Sequence, residues 1–146
     1  MRWLMDTNVL SELRRKSPSR AVIEWLESLP VESIFTSSLN IVELRYGAHV
    51  AAETELRLEI TLWIESRIRP LFENRVLDVT ENALFRWRIL SRTLEKSRKP
   101  APPFDLMIAA VALENGLGIA TRDTRPFIGI GLPVLNPWTA ERFNGA

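Results

Sequence analysis

The chain has 146 residues, a net charge of +1, and 46% hydrophobic and 25% charged residues. These are the values of one ordinary folded domain, so residues 1–146 are expected to form a single unit, less patterned after about residue 138. The longest apolar run, Leu106 to Leu113, is far below the ~20 residues of a membrane-spanning helix, so no membrane association is expected. The absence of cysteine excludes disulfides, thiol catalysis and thiolate zinc sites, and it fits a cytoplasmic setting.

The elements alternate along the chain. Arg2 to Met5 reads as a strand, and Asn8 to Arg15 as a helical stretch. Ser19 is expected to cap a helix in which Val22, Trp25, Leu26 and Leu29 share a face, ended by Pro30. Ile34 to Thr36 is a short strand. A helix starting near Ser37 or Ser38 carries Ile41, Leu44 and Ala48, with Gly47 hinting at close packing and Glu43 placed on the inward face. Leu56, Ile60, Trp63 and Ile64 mark another helix, closed by Pro70. Val76 to Val79 reads as a strand with Asp78 in a structural role. Thr80 begins a long helix with Leu84, Trp87, Leu90 and Leu94 facing inward. Pro100, Pro102 and Pro103 stiffen a loop, and Asp105 opens a helix that is apolar on every side. Gly116 stops it, and Gly118 to Thr121 and Pro133 to Leu135 are the last strands. Strands alternating with helices predict an α/β fold with a parallel sheet.

The chemistry is narrowed by what is missing. Neither a GxGxxG nor a GxxxxGK[ST] phosphate loop occurs. The one histidine, His49, lies in a helix and reads as a surface or interface residue, which leaves no histidine cluster for zinc. Carboxylates remain. Asp6 and Asp123 follow strands, where parallel sheets place ligands. Asp105 begins a buried helix, and Glu43 needs a partner. Each taken alone reads as a cap, a turn residue or an ion-pair partner. Together, at one strand-end crevice, they would repel by roughly 4 kcal/mol per pair at ~4 Å and a dielectric of ~20. Such a cluster calls for a cation or for protons. Oxygen ligands alone suit Mg²⁺ or Mn²⁺. Of the basic residues sixteen are Arg and three Lys, and six cations against one anion lie between Arg86 and Lys99. That strip is either a solvated helix face or a surface for a polyanion.

Four blocks then resemble the PIN-domain ribonucleases, in particular the FitB-like subgroup of the VapC toxins. They are Met5-Asp6-Thr7-Asn8-Val9-Leu10-Ser11-Glu12, Ser37 through Glu43-Leu44-Arg45-Tyr46-Gly47, Phe104-Asp105-Leu106-Met107-Ile108-Ala109-Ala110, and Ala120-Thr121-Arg122-Asp123-Thr124-Arg125-Pro126-Phe127. The resemblance runs from Met1 to about Trp138, and Phe104 departs from the small residue many relatives carry there. It implies a PIN-like three-layer fold, a short central parallel sheet flanked by helices.

The resemblance further implies Mg²⁺-dependent (or Mn²⁺-dependent) hydrolysis of RNA phosphodiester bonds, on a tRNA-like or other structured RNA. The family's acids fall on Asp6, Glu43, Asp105 and Asp123, with Asp6, Asp105 and Asp123 as metal ligands and Glu43 holding the attacking water or accepting its proton. Its supporting positions fall on Asn8 and Thr121. Arg88, Arg92, Arg122 and Arg125 are candidates for the RNA backbone. The partners implied are a cognate VapB-like antitoxin, DNA only through that antitoxin, and a second copy in a homodimer. Trp25 and Trp63 read as core or as contact surfaces for such partners. The rivals are a catalytically silent PIN-fold binding module, against which all four acids stand, and a haloacid-dehalogenase-type phosphatase. The latter places Asp6 correctly but has Asn8 in place of its second acid.

Overall fold

A computed structural model describes residues 1–97 and 101–145. The chain runs β1 (Trp3–Met5), α1 (Thr7–Glu12), α2 (Arg20–Glu27), β2 (Ile34–Ser37), α3 (Ser38–Val50) and α4 (Thr54–Trp63). After a π-helical turn at Ile64–Ile68 come α5 (Arg69–Leu71), β3 (Val76–Leu77), α6 (Glu81–Ser97), α7 (Pro103–Glu114), β4 (Gly118–Ala120), β5 (Val134–Leu135) and β6 (Arg142–Phe143).

The six strands form one sheet in the order β3-β2-β1-β4-β5-β6, parallel except for β6. Side chains alternate across it, as the twofold period of a strand requires. Trp3 and Met5 enter a core with Leu10, Val22, Ile41, Ile64 and Phe72. Leu4, Ile119 and Val134 enter the opposite core with Ile108, Val111 and Phe127. Helices therefore cover both faces, and the three-layer α/β expectation holds. Gly118 is set by contact: a Cβ there would lie 2.6 Å from the Trp3 ring. Among the described residues no helix is long and apolar enough to cross a membrane.

Several local expectations change. Pro70 does not stop its helix. The chain widens into the π turn and continues to Leu71, and the wider turn spares the carbonyl that a proline ring would strike in a regular helix. This keeps Ile64, Ile68 and Phe72 all in the core. On α6 the buried position is Ala83 and not Leu84, which is 43% exposed; stepping back from Trp87, Leu90 and Leu94, the inward face falls one residue earlier. A Cβ at Gly47 would meet nothing within 4 Å, so close packing does not explain that glycine. Ser19 precedes α2 without a side-chain capping bond. The third strand stops at Leu77, leaving Asp78 exposed. The tail carries a strand that the sequence did not mark, because β6 pairs with β5. Trp25 and Trp63 pack against the core, Trp25 edge-on to Trp3 at 5.9 Å. His49 is exposed beside Tyr46. Arg98, Lys99 and Pro100 lie outside the described residues.

Candidate active site

The strand order places β2 and β3 on one side of β1 and the later strands on the other. Connections therefore leave β1 and β4 in opposite directions, and a crevice opens at their carboxyl ends. Asp6 stands at this point, with its backbone N–H donating to the Ala120 carbonyl at 3.0 Å. It also caps α1. Its Oδ1 accepts the Thr7 N–H at 2.8 Å and an Asn40 Nδ2–H at 3.2 Å, and its Oδ2 accepts the Thr121 hydroxyl at 2.7 Å. Asp6 is 7% exposed. Burial raises its pKa above the ordinary carboxylate value; the bonds from Thr121, Thr7 and Asn40 pull it down, and the charge of Asp123 adds to the rise.

The Thr121 hydroxyl joins the two strand ends. While donating to Asp6 it accepts Asn8 Nδ2–H at 3.1 Å and the Asp123 N–H at 3.2 Å. Asn8 Oδ1 in turn accepts the Arg122 N–H at 3.1 Å. The loop carrying Asp123 is thereby tied to α1.

Glu43 lies on the exposed side of α3, contrary to the inward placement expected from its apolar neighbours. Ile41 and Leu44 do face the core, but Val42 and Glu43 turn away from it. The partner it needs is the Thr7 hydroxyl, which donates to Oε1 at 2.9 Å. Partial burial raises the Glu43 pKa, the Thr7 bond opposes this, and the charges of Asp6 and Asp105 add to it. Asp105 sits in the first turn of α7, half-buried, and is pushed up to about 6 by desolvation and then by the charges of Asp6 and Asp123.

The four acids line one cleft of about 560 Å³, together with Thr7, Asn8, Glu12, Arg14, Arg15 and Arg122. Arg122 lies over the Trp138 ring at 5.0 Å. Arg125 is exposed in the turn Arg125–Phe127 and does not line the cleft, nor do Arg88 and Arg92, which are exposed on α6. Arg92 stands 3.9 Å from Glu95.

Sequence reasoning passed over Thr7, Asn40 and Glu12 as individual residues. Asn40 follows the helix cap Ser37 by three positions and lies three before Glu43, which puts it one turn from the acid. Glu12 is 4% exposed, accepts the Ser19 N–H at 2.8 Å and pairs with Arg15 at 3.2 Å.

Among the described residues none of the four cleft acids forms an ion pair. No group of three or more acidic or histidine side chains among them closes into a ready ligand cage, so the acids remain separate carboxylates under a shared field. An all-oxygen set of this kind, with none of its members ion-paired, fits a hard divalent cation.

The PIN domain matches residues 4–131. The chain is 34% identical over 135 residues to VapC ribonuclease Y4jK of Sinorhizobium fredii, covering 92% of this chain and 96% of that one. It is 33% identical over 135 residues to Toxin FitB of Neisseria gonorrhoeae, covering 92% and 97%. The crystal structure of FitAcB from Neisseria gonorrhoeae superposes with a TM-score of 0.87 at 33% identity, over 93% of this chain and 98% of that one. By the extent of the family match and by these relatives, the chain belongs to the PIN domain family.

Proposed function

We propose that the chain is a divalent-metal-dependent endoribonuclease, acting in the cytoplasm as the toxin of a toxin–antitoxin pair. One observation carries this reading: four carboxylates from distant parts of the chain line a single cleft, and among the described residues none of the four is ion-paired, although Arg14, Arg15 and Arg122 line the same cleft. The ribonuclease and toxin names of two relatives support it.

Asp6, Asp105 and Asp123 would hold Mg²⁺, with Mn²⁺ as a substitute. When bound, such an ion polarises the scissile phosphate, makes water more acidic and offsets the charge that develops in the displacement. The chain's own groups do the rest. Thr121, Asn40 and the Thr7 N–H fix both oxygens of Asp6. Glu43 has Oε1 held by Thr7, and its Oε2 accepts a proton from the attacking water. Arg14, Arg15 and Arg122 line the same cleft and hold backbone phosphates of a structured, tRNA-like RNA. Arg88, Arg92 and Arg125 extend that contact outside the cleft. A VapB-like antitoxin restrains the activity, DNA is reached only through it, and the toxin pairs as a homodimer. The phosphatase alternative is weakened because Asn8 spends both ends of its amide on Thr121 and Arg122.

The test is cleavage of bulk tRNA by the protein and by Asp6→Asn, with Mg²⁺ or with EDTA. Cleavage is expected only from the unsubstituted chain with metal. Cleavage that survives either the substitution or the chelator refutes the reading.

A further inference from the structure

The side chain of Asn40 is fully buried, and its environment decides which way the amide points. Its Oδ1 accepts the Ser37 hydroxyl at 2.5 Å. Its two Nδ2 hydrogens go to Asp6 Oδ1 at 3.2 Å and to Thr7 Oγ1 at 3.0 Å. Turned over, the amide would set its carbonyl oxygen against the Asp6 carboxylate, so this orientation is the stable one. The consequence falls on Thr7. Its oxygen is occupied as an acceptor, and its one hydrogen is directed at Glu43 Oε1, 2.9 Å away.

We propose that Thr7, oriented by Asn40, is the positioning residue that sets Glu43 for proton transfer. This rests on the ribonuclease reading above. A glutamate on an exposed helix face samples several rotamers, and a directed hydroxyl selects one of them. Holding Oε1 leaves Oε2, on an exposed residue, with no hydrogen-bond partner among the described residues, available to a water in the cleft. A single buried amide thus fixes the spacing between Asp6 and Glu43, which belong to different elements. The backbone duty of Thr7, donating its N–H to Asp6, is separate and survives side-chain substitution.

The experiment compares Thr7→Val, which keeps the shape and removes the hydroxyl, with Thr7→Ser, which restores it. Initial rates on bulk tRNA with Mg²⁺ give kcat and KM, and calorimetry gives the Mn²⁺ affinity. For Thr7→Val, kcat is expected to fall about 10- to 100-fold, the size of effect of supporting groups at such sites. KM and Mn²⁺ affinity are expected to stay near their starting values, and Thr7→Ser to recover most of the rate. An undiminished kcat, a Thr7→Ser variant as impaired as Thr7→Val, or a loss of Mn²⁺ affinity of about tenfold or more overturns the proposal; the last would mean that Thr7 acts through Asp6. Thermal melts of the metal-free protein carry the same question without turnover. The shifts for Thr7→Val and Glu43→Ala are expected to fall short of additivity in the double variant, and additive shifts overturn the link. An unsubstituted protein that cuts no RNA sinks the ribonuclease reading, and this cycle still decides whether Thr7 and Glu43 are coupled.

Discussion

Replacing Asp105 by Asn removes one charge from the cleft while keeping the side chain's shape. The carboxyl of Asp105 is raised from 3.8 to about 6 in the folded chain. A shift of about two units corresponds to about 3 kcal/mol at ~1.36 kcal/mol per unit. Asp105 is half-buried, and solvent screening reduces the usable part to roughly 1–2 kcal/mol. The native state binds the proton more tightly than the unfolded chain, so the ionised group opposes folding above pH about 6. That opposition fades as the pH falls through about 6 toward the unfolded value of 3.8. Asp6 and Glu43 are raised in the same direction. In chelator at pH 8, Asp105→Asn is expected to melt roughly 2–8 °C above the unsubstituted protein, taking ~2–4 °C per kcal/mol for a chain of this size. Near pH 4.5 the gap should largely close. Mn²⁺ should raise the melting temperature of the unsubstituted protein by more than that of the variant. Circular dichroism melts at the two pH values read all of this. A variant that melts lower at pH 8, or a gap of equal size at both pH values, refutes the claim that ionised Asp105 opposes folding through its desolvation and the charges of Asp6 and Asp123.

Gly118→Ala is expected to destabilise the fold by about 1–3 kcal/mol, because the new methyl meets the buried Trp3 ring at 2.6 Å and the Pro133 carbonyl at 3.0 Å. A chemical denaturation curve checks it, and an unchanged midpoint refutes the close-approach argument. Glu12→Ala leaves the Ser19 N–H and Arg15 without their shared acceptor, at a cost of about 1–3 kcal/mol in the same assay. Replacing Arg88 and Arg92 together by Ala should flatten the salt dependence of RNA binding by about one to two units of slope. An unchanged slope returns that strip to a solvated face.

The aspartates of the cleft were readable because the residue after a parallel strand is forced toward the sheet's carboxyl end. Asp6 needed only that rule, Asp123 lies three residues past the end of β4 in the turn that follows it, and the proline loop before α7 flagged Asp105. The hydrogen bonds that orient them left no such trace. Asn40 reaches Asp6 and Thr7 across more than thirty residues of chain, and no periodicity marks an amide whose partners lie on another element. Glu43 was misplaced because apolar neighbours in sequence do not share a face when each residue turns the helix by about 100°. Leu84 was misplaced by one position, because three residues before Trp87 and four before it both fit helical spacing, and the buried position is Ala83, four before. The last strand was hidden because its ends are shaped by Ala140 and Asn144 at φ of 65° and 57°, a conformation that Asn tolerates but that an alanine does not announce.

The antiparallel pairing of β6 with β5 also has a bearing on solubility. A parallel sheet ending at β5 would present an open row of amide donors and acceptors, a template for strand addition from another molecule. Residues 142–143 occupy that row, and the Asn144 side chain fastens the segment to the carbonyls of Phe127 and Leu132 at 3.1 and 2.8 Å. Residues 142–144 thus act as a selvedge: without them, β5 would be an edge from which copies could begin to knit together.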